Sequence, residues 1–231
     1  MRNIKIIYED NEIMVIEKPS GLVTDTVGNY RGETLQDWLK VEILRSGIVH
    51  RLDKETSGLL VVAKTSQALE NLQEQFRDRK VKKEYTALAH GLIAEGNNAA
   101  SFIVNAPIGR NPKNTKKFAV VEGGREAITK FKVGLRYPLG NARGYTLLYC
   151  YPKTGRTHQI RVHLTALNHP IVLDPLYVGR KRYKMDAIWC PRMFLHATKL
   201  EFRHPVTGEW VKFRSDLPKE LKNSLKFLIT N

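Results

Sequence analysis

Hydrophobic and polar positions along the chain fall into short β-type runs with three helical stretches between them. Ile4 to Tyr8 and Ile13 to Glu17 read as two strands joined by the turn Glu9-Asp10-Asn11-Glu12, and Lys18-Pro19-Ser20-Gly21 ends the second. Thr34 is placed to cap a helix through Lys40, with Leu35, Trp38 and Leu39 on its inner face. Leu59 to Ala63 is an uninterrupted apolar run fit for a buried strand. Ser66 then opens a helix to about Lys80, because Leu69, Leu72 and Phe76 recur at i, i+3, i+7 while Glu70, Glu74 and Arg77 take the opposite face. That stripe is ordinary amphipathic packing and carries no chemistry. Val81 to Leu88 follows as a strand. Between Thr154 and Leu167, Gly155 marks a turn, Thr157 is expected to cap a helix, and Ile160, Leu164 and Leu167 form its buried stripe with Arg161 on the neighbouring face. Internal repeats and low-complexity segments are absent.

Charge changes the picture. Thirty-eight Lys and Arg against 23 Asp and Glu leave a net charge of +15, a surface that attracts polyanions. The segment 105–132 is rich in turn residues and gathers Arg110, Lys113, Lys116 and Lys117 around Asn111-Pro112, which predicts a basic hairpin contacting phosphates. Arg180-Lys181-Arg182 with Lys184 forms a second basic patch. With 42% hydrophobic residues in 231, the chain can bury a sizeable core, and a single continuous domain over 1–231 is expected, the basic hairpin being an insertion in it.

Several function classes are disfavoured. Two cysteines without CxxC spacing indicate neither a disulfide framework nor a zinc site. His158 and His163 stand five apart, not at the i, i+4 spacing of a helical zinc pair, so no metal is expected. No run of about 18 apolar residues supports a membrane span, and the N-terminal dozen lacks a signal peptide's apolar centre. A cytoplasmic location is expected.

The most informative stretch is Ile48 to Thr65, IVHRLDKETSGLLVVAKT, which sets Asp53 between a basic pair and a small-residue turn before the buried strand. Alone, an Asp beside Arg51 is most simply a loop ion pair. The whole string, however, resembles the catalytic motif of the RluA-type family of RNA pseudouridine synthases. Lys83-Glu84-Tyr85-Thr86-Ala87 resembles the family's tyrosine segment, and Thr154 to Leu164, TGRTHQIRVHL, its arginine block. IMVIEKPSGLVT at 13–24 resembles the opening motif, and Leu195-His196-Ala197 with Phe202-Arg203-His204-Pro205 the closing one.

The resemblance implies a mixed α+β fold, with a mainly antiparallel central sheet flanked by helices and loops. It implies an isomerase acting on uridine in structured RNA, a tRNA or rRNA stem-loop, with Asp53, Tyr85 and Arg161 as catalytic residues. An Arg161–Asp53 ion pair would keep the carboxylate ionised. Isomerisation breaks the N1–C1′ bond, turns the base, joins C5 to C1′ and removes the C5 proton, so no cofactor is required. The target must leave its stack, and the resemblance assigns Arg51 to the vacated space. His50, Thr56, Arg156, His158 and Leu195 are expected among the RNA-binding residues with the hairpin cations, and Lys18 and Gly21 near the active site. Asn168 and Leu173 stand where the family usually has glycine, and Thr24-Asp25 where a histidine often follows the opening motif. The early opening motif implies no N-terminal RNA-binding domain, and a monomer without an obligatory protein partner is expected. The alternatives are a non-catalytic RNA-binding or RNA-chaperone protein on the same scaffold, and a metal-dependent RNA nuclease, which would need clustered acidic ligands that the sequence does not offer.

Overall fold

The structure is a computed structural model that describes residues 4–25, 30–39, 47–93, 101–139 and 143–230. Its fold is mixed α+β with a mainly antiparallel sheet, and the chain divides into two compact units, Met1–Lys83 with Ala197–Asp216 and Glu84–His196 with Leu217–Asn231.

In the first unit, β1 (Lys5–Glu9) and β2 (Ile13–Lys18) form the expected hairpin, and β2 pairs antiparallel with β3 (Ser57–Ala63). All seven residues of β3 are buried, as its unbroken apolar run predicts. The strand β10 (Leu195–Arg203) lies beside β3 and pairs with β11 (Trp210–Arg214). Helix α2 (Ser66–Arg77) is capped by the Thr65 hydroxyl and lays Ala68, Leu69 and Leu72 against Ile13, Val15, Leu59, Val61, Leu200 and Phe202. It ends at Arg77, three residues before the expected Lys80. Helix α1 (Leu35–Trp38) is capped by Thr34 in a reciprocal box with Asp37, as expected, but stops at Trp38 with extended Leu39 following; Lys40 lies outside the described residues.

In the second unit, β4 (Lys82–His90), β9 (Arg143–Pro152), β8 (Ile128–Leu139) and β5 (Ser101–Asn105) are consecutive antiparallel neighbours. Alternation decides which face each side chain serves. Ala87, Ala89, Leu148 and Cys150 pack with Ile160 and Leu164 of α3 (Gln159–Ala166), whereas Leu88, Tyr145 and Leu147 pack with Leu221 and Leu228 of α5 (Lys219–Thr230). Short strands β6 (Ile108–Asn111) and β7 (Asn114–Val120) pair separately, forming a hairpin in the basic segment. The second basic patch is helical, α4 (Arg180–Asp186). Cys150 and Cys190 are buried free thiols, and burial pushes the Cys150 pKa up. Among the described residues, no helix is long and apolar enough to cross a membrane.

Two features of the first unit fix the approach to β3. Gly58 has φ +115, and a Cβ there would stand 2.3 Å from the Ala197 carbonyl oxygen, so only glycine admits β10 this close. The residue His50 is only partly covered, but its ring is enclosed: it stacks on Phe76 at 4.5 Å between centroids, and Nε2 accepts the Val61 N–H at 3.1 Å. Burial, with a smaller contribution from the Lys83 charge, holds its pKa down to about 3. Lys83 is itself lowered to about 8 by burial.

Gly58→Ala should lower unfolding free energy by about 3 kcal/mol in urea titrations, through backbone strain and the clash with Ala197; an unchanged midpoint would contradict this packing. For His50 the sign follows from linkage. The unfolded ring binds a proton below about 6.5, whereas the folded ring does so only near 3, so the stability held by the neutral ring is lost as pH falls through that window. His50→Gln should therefore lose less stability between pH 7 and pH 4.5 than the wild type, as compared by urea titration at both pH values.

Candidate active site

Asp53 is half-buried in the loop entering β3, where its carbonyl accepts the Thr56 N–H at 3.1 Å and closes a turn. Neighbouring bonds fix that loop. The Lys18 side chain is fully buried, and its ammonium donates to the carbonyls of Pro19, Leu22 and Lys54 at 2.8, 2.7 and 3.3 Å. Gly21 N–H donates to the same Lys54 carbonyl, and the Ser20 hydroxyl to that of Glu55. On the other side of Asp53, the Thr24 hydroxyl donates to the Leu52 carbonyl at 2.8 Å and accepts its N–H at 3.3 Å. The opening motif is thus the frame of the Asp53 loop, with Lys18 and Gly21 bonded directly to it. Arg51 is exposed, and its guanidinium lies 3.1 Å from the Asp25 carboxylate, so Thr24-Asp25 engages both residues preceding Asp53.

Tyr85 and Arg161 belong to the second unit. Tyr85 lies on β4 opposite Cys150, half-buried against the core. The neighbouring-face position expected for Arg161 proves to be deep: the residue is 2% exposed, and Gln159 to Leu164 are all buried. A bidentate pair accounts for a guanidinium at that depth, Nε and Nη2 donating to Asp174 at 2.7 and 2.9 Å. Asp174 also accepts the Leu176 and Tyr177 N–H groups, and the Arg161 guanidinium lies over the Tyr177 ring at 5.2 Å.

The helix start differs from the expected one. His158, not Thr157, is the N-cap, in a left-handed conformation with no side-chain capping bond. Gln159 does the organising: its side-chain oxygen accepts the Thr154 hydroxyl and the Arg156 N–H, and its amide donates to Ile128 and Thr129. Leu167, expected in the buried stripe, follows the last helical turn and is 40% exposed.

The expected RNA-binding residues separate by burial. Arg110, Lys113 and Lys116 are exposed on the β6–β7 hairpin, with Lys117 half-buried beside them. Arg156 donates from Nε to the Glu126 carbonyl. The Tyr177 hydroxyl lies 3.0 Å from His158 Nδ1 and accepts the Phe118 N–H, which brings Arg161, His158 and the hairpin together around one ring. Thr56 and Leu195, expected among the RNA-binding residues, are 2% and 3% exposed, Leu195 within the core. His50 serves the loop's structure through Val61 and Phe76. Asn168 and Leu173 both adopt positive φ, 62° and 55°. The backbone therefore keeps a glycine-type conformation in spite of these side chains; Leu173 holds it with a buried side chain and an N–H bond to Asp186.

Asp174, Tyr177, Gln159 and Thr24 were not legible as site residues. A buried arginine requires a carboxylate partner, but sequence offers no means of choosing Asp174 while Arg161 reads as lying on a neighbouring helix face.

Comparison with known proteins agrees with the motifs. Residues 12–166 match the RNA pseudouridylate synthase family. The chain is 42% identical over 228 residues to ribosomal large subunit pseudouridine synthase D of Nitrosomonas europaea, covering 94% of this chain and 63% of that protein. It is 39% identical over 239 residues to the protein of the same name in Xanthomonas campestris, covering 97% and 69%. Among solved structures, human RNA Pseudouridylate Synthase Domain Containing 1 superposes with a TM-score of 0.72 at 27% identity, covering 99% of this chain and 96% of that one. Family match, identity over nearly the whole chain and shared fold agree: the chain belongs to the RNA pseudouridylate synthase family.

Proposed function

We propose that this protein isomerises uridine to pseudouridine in structured RNA, with Asp53 as the reacting carboxylate. One observation carries the proposal. In a member of this family, the HRLD…TSGLL string sets Asp53 on a turn fixed by Lys18, Ser20, Gly21 and Thr24. A carboxylate fixed in this way can act at the sugar without a cofactor, either by attacking C1′ or by removing the C2′ proton; each route frees the base from C1′. The base then turns and C5 bonds to C1′, displacing the Asp53 carboxylate from C1′ on the first route or as C2′ regains its proton on the second; the C5 proton leaves and N1 regains a proton.

In this proposal Arg161 pairs with Asp53 and keeps it ionised. Two of its donors are fixed by Asp174, which sets the guanidinium plane. Tyr85 stacks on the extruded base and assists removal of the C5 proton. Arg51 releases Asp25 and fills the space left by the flipped base, and Arg110, Lys113, Lys116, Lys117, Arg156 and His158 bind the surrounding RNA. The relatives' names refer to the large ribosomal subunit, which favours rRNA over tRNA as substrate. The protein acts in the cytoplasm as a monomer, without an obligatory protein partner. A binding-only role predicts the same affinity for RNA and no turnover.

Purified protein with chelator present should release tritium from large-subunit ribosomal RNA transcribed with [5-³H]uridine, and Asp53→Ala should reduce release at least about 10³-fold. Retained release by the variant would overturn the role of Asp53. No release by the wild type from this RNA or from transcribed tRNA would favour the binding-only role.

A further inference from the structure

One residue outside the proposed catalytic set joins the basic hairpin to the buried arginine. Tyr177 follows Asp174 in a tight turn, and its own N–H is held by the Asp174 carboxylate that grips Arg161 in two bonds. Its ring lies under the Arg161 guanidinium at 5.2 Å, within cation–π range. Its hydroxyl reaches the hairpin, accepting the Phe118 N–H of β7 at 3.0 Å and lying 3.0 Å from Nδ1 of His158 at the start of α3. The His158 ring stands edge-on to both Phe118 and Tyr177. The hairpin's cations close the arrangement: Arg110 covers the Phe118 ring at 4.5 Å, and the Lys117 ammonium lies 5.8 Å from the centre of the Tyr177 ring. No other tie of β7 to this turn is needed to see the consequence. The β6–β7 strands form a sheet of their own, so a bond from the Phe118 backbone to Tyr177 ties the hairpin's placement to the turn that holds Arg161.

We propose that Tyr177 is a positioning residue that couples the β6–β7 hairpin to Arg161, so that RNA phosphates engaging the hairpin's cations set the catalytic guanidinium. This rests on the role proposed for Arg161 in uridine isomerisation. Phosphates compete with the aromatic faces for Arg110 and Lys117, and when they draw those cations away the hairpin shifts with them. The shift reaches Arg161 by two routes, through the ring beneath it and through the Asp174 turn to which the Tyr177 N–H is bonded. The arrangement makes full organisation of Arg161 conditional on an RNA long enough to reach the hairpin. Shape recognition and chemistry would then be linked through a positioning residue.

The test separates binding from chemistry, because a hairpin that only binds phosphate changes affinity alone. Single-turnover tritium release at saturating [5-³H]uridine-labelled ribosomal RNA, and the RNA dissociation constant, are measured for four proteins. These are the wild type, Lys116→Ala/Lys117→Ala, Tyr177→Phe and the triple variant. Coupling predicts that the lysine substitutions weaken binding about tenfold and also slow the saturated rate about tenfold. Tyr177→Phe keeps the ring under Arg161 but loses the hydroxyl bond, and should slow the saturated rate about tenfold by itself. In that background the lysine substitutions should still weaken binding yet slow the rate no further. Rate effects that multiply independently, or a Tyr177→Phe rate equal to wild type, would overturn the coupling while leaving the isomerase assignment intact. Absence of release by the wild type from this RNA and from transcribed tRNA would overturn both. If Tyr177→Phe fails to fold, the lysine variant decides: a saturated rate equal to wild type overturns the proposal.

Discussion

The candidate site depends on a buried ammonium. Lys18 has no exposed surface, and its charge is accommodated by donation to three backbone carbonyls, two in the loop that follows β2 and one, that of Lys54, next to Asp53. An unpaired charge at that depth would be strongly destabilising, so the surrounding loops must present their carbonyls to it. The loop carrying Asp53 is thereby fixed to the end of β2, with Ser20, Gly21 and Thr24 adding bonds on either side. Gly58 then lets the chain enter β3 against β10 at a distance that no other residue permits. Each of these constraints acts on the backbone beside Asp53.

The second unit also buries a cation, but balances it with a carboxylate instead of with backbone carbonyls. Arg161 is buried on a helix whose every position from Gln159 to Leu164 is covered, and Asp174 balances it in a two-bond pair. A buried pair of this kind adds little net stability compared with an apolar substitute, but it fixes a guanidinium in one plane. Geometry, more than stability, is what this pair supplies. The positive φ of Leu173, immediately before Asp174, shows backbone strain held beside it by a buried side chain.

Much of this was legible in sequence, for identifiable reasons. Strands β1, β2 and β3 and helix α2 follow local periodicity, and the Thr34 cap follows from side-chain chemistry next to the backbone it bonds. Asp53, Tyr85 and Arg161 became candidates only because long motifs surround them. What escaped was whatever depends on tertiary placement. The αL cap at His158 replaced an apparently suitable Thr157 because Gln159 organises that loop from inside the helix. Thr56 and Leu195 sit within recognisable motifs, yet they are buried, since a motif contains the residues that build a site as well as those that use it. Asp174 and Tyr177 act through contacts that no spacing announces.

Placement therefore does as much for the proposed chemistry as residue identity does. A single carboxylate can break the glycosidic bond only if it meets the sugar in a narrow range of positions, and misplacement costs rate without weakening RNA binding. Thr24 allows that claim to be tested alone, because its hydroxyl bonds both backbone groups of Leu52 and valine keeps its shape. The decisive measurement is the single-turnover rate of pseudouridine formation by Thr24→Val at saturating RNA, taken with its RNA dissociation constant. Loop anchoring predicts a rate lowered about tenfold or more with binding unchanged; a rate equal to wild type would contradict it.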